Sequence, residues 1–172
     1  MKPIDTQDND ALANMLATRA LYAFDDGLAD LDVLQDALRA KDASLRVSRD
    51  EDCILAVTAA LRKLRYVDEL VLVGYGRPGE IALGMFGFTA ETFGIYADLL
   101  ADWKRYLAPE AKIVLVGCAV GAGRDGMECR DRLAALTNRE VVAPIFTVGD
   151  GSWNFGGDWS APDGWMAYRD EL

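Results

Sequence analysis

The sequence predicts an α/β domain with a mostly parallel sheet of five to six strands and helices on both faces. Two observations carry this prediction. Short apolar runs alternate along the chain with longer segments whose apolar residues recur at helical spacing. The runs at residues 70–73 and 113–116 are apolar throughout, which is typical of strands buried on both faces of a parallel sheet. Such alternation places helices on both sides of the sheet.

The elements of the first half follow from local patterns. Residues 20–24 form an apolar run and are predicted as a buried strand. Asp30 is expected to cap the next helix, and residues 45–47 are expected to form a weak edge strand. Ser48 and Glu51 have the spacing of a capping box, which predicts that the second helix begins there.

The second half begins with a Gly-rich stretch and a small hairpin after the first central strand. Thr89 is then expected to cap the longest helix, whose apolar stripe continues to Leu107. After the second central strand, a helix is predicted over residues 125–136 and a last strand over 141–143. Residues 147–172 are rich in Gly, Asp and Trp, which favours turns or a terminal hairpin.

Composition and charge restrict the possible partners. The formal net charge is −10 and the isoelectric point is about 4.4, which argues against nucleic acid and against anionic lipid surfaces. A protein partner with a basic surface is expected instead. No apolar run reaches the length of about 20 residues that a transmembrane helix needs. Residues 1–19 lack the features of a signal peptide and are expected to form a helical extension to the domain at residues 20–172.

The cysteines argue against a metal site and for a reducing compartment. The chain has three cysteines, Cys53, Cys118 and Cys129, at spacings that match no metal motif, and it has no histidine. A zinc site would need all three thiols and a carboxylate, so neither a metal nor another cofactor is expected. Free thiols are typical of the cytoplasm, where we expect this protein.

Two loops at the predicted strand ends carry the candidate chemistry, because ligands collect beyond the carboxyl ends of parallel strands. Residues 74–79 match the Gly-x-Gly-x-x-Gly pattern of dinucleotide sites, but an apolar, strand-like segment follows where the pyrophosphate would need a helix. The alternatives are a nucleotide or small-molecule binder and a set of glycines that only allow tight turns.

The second loop, residues 117–123, places the Cys118 thiol at a strand end just before a helix. A helix N-terminus favours the thiolate, which would make this cysteine reactive. The structural alternative is that Cys118 packs as a small hydrophobic residue.

Taken together, the loops at residues 74–79 and 117–123 and the elements around them resemble the caspase-like cysteine peptidases. The resemblance implies the three-layer sandwich of that clan. Within that clan the chain is similar to a bacterial domain of unknown function found near the start of very large cadherin-like or haemolysin-like surface proteins. The resemblance covers roughly residues 20–159. The matching blocks are residues 73–79, 83–84, 96–98, 116–123, 133–137 and 156–159, with Leu100 and Trp103.

The resemblance implies a catalytic histidine and cysteine at the positions of Tyr75 and Cys118. The cysteine is kept, but a tyrosine replaces the histidine, and no histidine exists elsewhere in the chain. A phenol is a poor substitute for an imidazole at neutral pH, and losing a general acid/base costs roughly 10²–10⁴ in rate. We therefore expect an inactive pseudo-peptidase that acts as a protein-binding or assembly subunit. The alternative is an enzyme with altered chemistry that uses Cys118 with Tyr75 or Arg124.

The expected contact residues lie at the rim of the cleft and in the aromatic tail. Tyr75, Arg77 and Arg124 would line the rim, and Tyr and Arg are common at interface hot spots. Trp153 and Trp165 are the candidates in the tail, and Trp165 is expected to be an exposed anchor. On this interpretation Trp165→Ala would weaken partner binding and leave the melting temperature nearly unchanged. The structural alternative is that the aromatic rings cover one end of the sheet.

Overall fold

The computed structural model describes residues 19–155 and 159–172. Apart from Arg19, the helical extension predicted for residues 1–19 lies outside these described residues. Residues 156–158, which belong to one block of the resemblance, lie outside them as well. None of the helices in the described ranges is both long and apolar enough to cross a membrane.

The described chain alternates between strands and helices, as its sequence pattern predicts. The strands are β1 (Ala20–Asp25), β2 (Ala43–Val47), β3 (Val67–Val73), β4 (Tyr75–Arg77), β5 (Glu80–Ala82), β6 (Phe88–Thr89), β7 (Leu107–Val116) and β8 (Glu140–Val142). The helices are α1 (Leu31–Asp36), α2 (Cys53–Leu64), α3 (Ala90–Ile95), α4 (Ala97–Asp102) and α5 (Gly123–Thr137), with 3-10 turns at Trp103–Arg105 and Asp163–Ala167.

Five strands form one parallel sheet in the order β2-β1-β3-β7-β8. The chain moves in one direction from β1 to β2 and in the opposite direction from β3 to β7, so the order reverses between β1 and β3. Strands β4, β5 and β6 form a separate antiparallel sheet directly after β3. The predicted fold class is confirmed, and β3 and β7 are the two central apolar runs.

Two hydrophobic cores lie on opposite faces of the parallel sheet. Side chains alternate between the faces of a strand, so Leu70 and Leu72 enter the first core while Val71 and Val73 enter the second. Helices α2, α3, α4 and α5 cover the first core. The second core is covered by α1 and by aromatic residues from the C-terminal part of the chain. Helices therefore lie on both faces, as predicted.

Helix α2 begins later than the capping box predicts. The carboxylate of Asp52 accepts hydrogen bonds from the N–H groups of Ile54 at 3.0 Å and Leu55 at 3.1 Å, so Asp52 is the N-cap. Only half of the predicted box forms, and it lies outside the helix. The Ser48 N–H donates to the Glu51 carboxylate at 2.9 Å, but the Ser48 hydroxyl accepts from the Asp50 N–H at 3.2 Å instead of from Glu51. The predicted start at Ser48 is wrong because β2 continues to the preceding residue, so this segment first has to leave the sheet.

The predicted long helix after Thr89 is divided. Thr89 does form a capping box with Thr92, but α3 ends before Tyr96 and α4 starts after it. Gly94 lowers the helix propensity of this segment, and the Tyr96 hydroxyl donates to the carboxylate of Asp52. Leu107 belongs to β7 because its backbone pairs with β3. The longest helix in the described ranges is α5, with 15 residues.

The prediction that Trp165 is an exposed anchor is wrong. Its side chain is fully buried in the second core, and its indole N–H donates to the carbonyl oxygen of Leu34 at 2.9 Å. Its ring packs edge-on against Tyr22 and Phe24. Since α1 has only six residues, it leaves much of this sheet face uncovered, and the C-terminal aromatic residues fill the space.

Trp153 also belongs to this aromatic cover. It is half-buried, and its ring centroid lies 5.1 Å from that of Trp165. Trp159 is buried as well, at 6% exposure. The structural alternative for the tail aromatics, that they cover the sheet, therefore describes these three tryptophans.

Candidate functional site

The two loops that carry the candidate chemistry meet at the carboxyl edge of the sheet. They follow β3 and β7, which are neighbouring strands. A Cβ atom added at Gly76 would lie 2.4 Å from the carbonyl carbon of Gly117 and 2.5 Å from the nitrogen of Cys118. Such distances are too short for any side chain, so glycine at position 76 is what lets the two loops pack together.

Two backbone N–H groups from these loops point at one oxygen atom. The N–H of Gly76 donates to the main-chain oxygen of Leu172 at 3.0 Å, and the N–H of Cys118 donates to the same oxygen. Pairs of backbone donors that converge on one oxygen are how enzymes stabilise the oxyanion of acyl transfer. The geometry of such a site is thus present beside a cysteine, and a segment of this chain occupies it.

Cys118 is half-buried and tied to the segment that follows β8. Its thiol donates to the carbonyl oxygen of Val148 at 3.3 Å and accepts from the Val148 N–H at 3.4 Å. The next residue, Ala119, has a φ of 54°, a left-handed conformation that favours glycine, and its N–H donates to the carbonyl oxygen of Phe146 at 2.9 Å. The backbone around the thiol is therefore held in a tight and strained turn.

The other two thiols are less accessible. Cys53 and Cys129 are buried, and burial raises the pKa of each thiol to about 12. A thiol in that state is almost entirely protonated at neutral pH and reacts slowly. Cys118 is the cysteine of this chain that combines partial exposure with a position at a strand end.

Tyr75 stands at the position where the resemblance implies a histidine. Its hydroxyl connects two segments that are distant in the sequence. Its hydroxyl accepts from the N–H of Ala29 at 3.1 Å and donates to the carboxylate of Asp170 at 3.0 Å. It therefore links the segment before α1 to the residues that end at Leu172. Nearby, Tyr168 is fully buried, and burial raises the pKa of its phenol.

The first loop lacks the helix N-terminus that a dinucleotide site of the Gly-x-Gly-x-x-Gly type uses. Gly79 has a φ of +79°, and its N–H donates to the carbonyl oxygen of Val120 at 2.8 Å. The chain then enters β5, which pairs with β4, so no helix N-terminus follows to receive a phosphate. The glycines at positions 74 and 76 instead allow close backbone packing.

The other residues predicted to contact a partner are Arg77, Arg124, Trp153 and Trp165. Arg77 is exposed on β4 and forms an ion pair with Glu80 at 2.5 Å. Arg124 is exposed in the first turn of α5. The structure thus brings Tyr75 and Cys118 together through Gly76 and Leu172, while Trp153 and Trp165 belong to the second core.

Sequence reasoning missed an exposed apolar groove beside α3. Phe86 and Ile95 line it at 57% and 73% exposure, together with Glu80 and Glu91. A second depression shares Glu80 and Glu91 and adds two more carboxylates, from Asp125 and Glu128. We call the combined surface the acidic groove. Its signal in the sequence was weak, because Phe86 lies in the segment predicted as a small hairpin and Ile95 in the segment predicted as the longest helix.

Leu172 and Asp170 were also missed, and for a different reason. Their contacts to the strand-end loops are made by backbone groups, which every residue carries, and by an ordinary acidic side chain. No pattern of residue types signals such a contact. For metals, no group of three or more Cys, Asp or Glu residues within the described ranges could hold an ion.

The fold and the site define an α/β domain with a parallel five-stranded sheet and a half-buried cysteine at the carboxyl end of a central strand. The chain belongs to the family described as "Domain of unknown function (DUF4347)", whose model matches residues 21–163. No curated protein matches it. Among solved structures, a small-chain dehydrogenase is 15% identical with a TM-score of 0.41, over 73% of this chain and 82% of the dehydrogenase. Similarity at that level carries no argument about fold or function.

Proposed function

We propose that this chain is a catalytically inactive, caspase-like module that binds a protein partner, and that the partner presents apolar and basic residues to the acidic groove. The observation that carries the proposal is the pairing of two exposed apolar side chains, Phe86 and Ile95, with carboxylates along one continuous surface. All three cysteines are free, which fits a module that works in the reducing cytoplasm.

The surroundings of Tyr75 support inactivity. The chain has no histidine, and the hydroxyl of Tyr75 is engaged with Ala29 and Asp170 rather than with the thiol of Cys118. A peptidase needs a group that takes a proton from the nucleophile and returns it to the leaving amine. An engaged phenol is poorly suited to that exchange at neutral pH.

The chemistry of the groove supports the choice of partner. Single exposed apolar residues are common on proteins, but two in one groove indicate an interaction surface. The overall charge of −10 attracts basic molecules, and the groove concentrates that charge beside the apolar residues. Arg77 forms an ion pair with Glu80, which lines the groove, and would select there against a uniformly basic partner.

The test uses two synthetic amphipathic helical peptides with the same apolar face, one with lysines and one with glutamates on the polar face. We expect the lysine peptide to bind, to shift the NMR signals of Phe86 and Ile95, and to weaken as salt is added. Ile95→Ser should reduce the affinity about tenfold or more. Leu55→Ser is the matched control, because Leu55 is 53% exposed on α2 outside the groove. Equal binding of both peptides, or equal losses in both variants, would refute the proposal.

A second candidate function is a cysteine-dependent enzyme with altered chemistry at Cys118. The observation that favours it is the pair of N–H donors, from Gly76 and Cys118, beside the thiol. In a variant without residues 170–172, whose removal frees these donors, this function predicts that a carbonyl electrophile forms a covalent adduct at Cys118 faster than a simple alkylating reagent of equal reactivity does. Equal rates for the two reagents would remove this candidate.

A further inference from the structure

The oxygen bound by the two strand-end loops belongs to this chain itself. The Leu172 main-chain oxygen accepts from the N–H of Gly76 at 3.0 Å and from the N–H of Cys118. These donors come from loops after two neighbouring central strands, and the missing side chain at position 76 is what allows them to converge. Gly76 and Cys118 are both half-buried, so the oxygen that these two donors bind shields them from solvent in part.

The backbone of residues 170–172 is hydrogen-bonded to residues 148–150, and Val148 in that segment also contacts the Cys118 thiol. The N–H of Leu172 donates to the Val148 carbonyl oxygen at 3.0 Å, and the N–H of Asp150 donates to the Asp170 carbonyl oxygen at 2.8 Å. Gly149 and Glu171 form an antiparallel bridge between these two contacts. Residues 170–172 therefore lie in an extended conformation, as a bound peptide does when it adds to a strand edge.

The side chains of Glu171 and Leu172 alternate between solvent and core, as side chains do along a strand. Leu172 is buried at 2% exposure in the second core, while Glu171 faces solvent. The carboxylate of Asp170 accepts from the Tyr75 hydroxyl at 3.0 Å. The segment thus uses one apolar anchor, one side-chain hydrogen bond and one backbone oxygen.

We propose that residues 170–172 are an intramolecular ligand that closes the Cys118 site, and that the vacated site accepts an extended peptide through an oxygen of its backbone. Such a peptide would place an apolar residue where Leu172 lies and an oxygen between the Gly76 and Cys118 N–H groups. The Tyr75 hydroxyl helps to keep residues 170–172 in the site, because it donates to the carboxylate of Asp170. This inference goes beyond the proposed function, since it concerns the strand-end cleft and is independent of the acidic groove.

The first test compares the full chain with a variant that lacks residues 170–172. We expect the alkylation of Cys118 and the amide exchange of Gly76 and Cys118 to become at least about tenfold faster, because the segment no longer covers them. Cys53 and Cys129 should keep their slow alkylation, which shows that the domain remains folded. An unchanged Cys118 rate in the folded variant would overturn the proposal.

If the buried thiols also react faster, the deletion has opened the whole domain, and Tyr75→Phe then decides. This substitution keeps the ring and removes the hydroxyl, which holds Asp170 and also accepts from the Ala29 N–H. We expect Cys118 alone to react about threefold faster or more. A Cys118 rate equal to that of the full chain would overturn the proposal.

The second test adds the tripeptide Asp-Glu-Leu to the shortened variant at millimolar concentrations. We expect saturable slowing of Cys118 alkylation and restored protection of the Gly76 and Cys118 amides, and we expect no effect from Asp-Glu-Lys. Comparing the free acid with the C-terminal amide tells whether a carboxylate or a carbonyl oxygen is the preferred group. Absence of slowing by both forms would overturn the claim that the site accepts an external peptide.

Discussion

Trp165 and Tyr75 were both expected to face a partner, but Trp165 is fully buried, whereas Tyr75 is exposed and its hydroxyl is hydrogen-bonded within the chain. The indole N–H of Trp165 donates to the Leu34 carbonyl oxygen at 2.9 Å, within the second core. The hydroxyl of Tyr75 links Ala29 to Asp170. Large amphipathic side chains suit interfaces and cores equally well, so residue type alone could not distinguish the two roles.

Trp165→Ala is expected to destabilise the domain by about 3–5 kcal/mol, because it removes a large side chain from a closely packed core. The measurement is the free energy of unfolding in urea. Met166→Ala is the control, since the neighbouring Met166 side chain is 52% exposed and its loss should change stability by less than about 0.5 kcal/mol. Equal unfolding midpoints for Trp165→Ala and the unchanged chain would contradict the burial of this ring.

Native alkylation at pH 8 is expected to modify Cys118 before Cys53 and Cys129. Burial raises the pKa of both other thiols to about 12, so very little thiolate forms there at that pH. Mass spectrometry with site assignment over a time course gives the three rates. In urea the three cysteines should react at similar rates, and a native rate at Cys129 equal to that at Cys118 would refute this prediction.

Two helices differ from their predicted bounds where they contact neighbouring elements: α2 starts later, and the helix after Thr89 is divided. The Asp52 carboxylate caps α2 and also accepts from the Tyr96 hydroxyl, at the junction of α3 and α4. One side chain therefore joins the ends of two helical segments. The spacing of Ser48 and Glu51 was a valid local signal, but the segment that carries it connects β2 to α2.

Asp52→Ala is expected to cost about 1 kcal/mol or more of stability, because two N–H groups of the first turn lose their acceptor. Asp52→Asn should lose less, since an amide oxygen can still accept from them. The measurement is the free energy of unfolding in urea for each variant. A larger loss for Ser48→Ala than for Asp52→Ala would show that the helix is capped at Ser48 after all.

Across the whole molecule, the two faces of the sheet are covered in different ways. Four helices cover the first core, while the short α1 shares the second core with C-terminal aromatic residues that also lead to the Cys118 site. The stability of the second core and the closure of the site therefore depend on the same stretch of chain. Buried thiols add a pH dependence to this stability.

Stability is expected to fall as the pH rises from about 9 towards 12. Burial raises the pKa values of Cys53 and Cys129 from 9.0 to about 12, so these thiols ionise in the unfolded chain before they ionise in the folded one. The stabilisation is complete below pH 9 and is lost above it. At pH 10 the loss is on the order of 1 kcal/mol for each thiol.

Urea unfolding at pH 8 and pH 10 measures this loss. Burial also raises the pKa values of the Tyr22 and Tyr168 phenols, which extend the decrease to higher pH in the same direction. Cys129→Ala should remove the contribution of one thiol and so reduce the difference between the two pH values. A constant or rising stability between pH 8 and pH 10 would contradict the raised pKa values.

Much of the fold could be predicted because it depends on local patterns. Each of these patterns lies within a short stretch of sequence. They are the apolar runs of β1, β3 and β7, the helical spacing in α2 and α5, and the glycines of the two loops. Parallel strands bring their carboxyl ends to one edge, so the meeting of the Tyr75 and Cys118 loops also followed from the pattern. The helical extension predicted for residues 1–19 stays a prediction.

The use made of that edge could not be predicted, because it depends on contacts between residues far apart in the chain. Whether Trp165 is buried depends on how much of the sheet α1 leaves uncovered, and neither local composition nor position near the end of the tail contains that information. The Leu172 oxygen reaches Gly76 and Cys118 through backbone groups that have no sequence signature. Periodicity therefore determined the strands, the helices and the loops, whereas long-range burial and backbone hydrogen bonding determined which residues cover the sheet and fill the site.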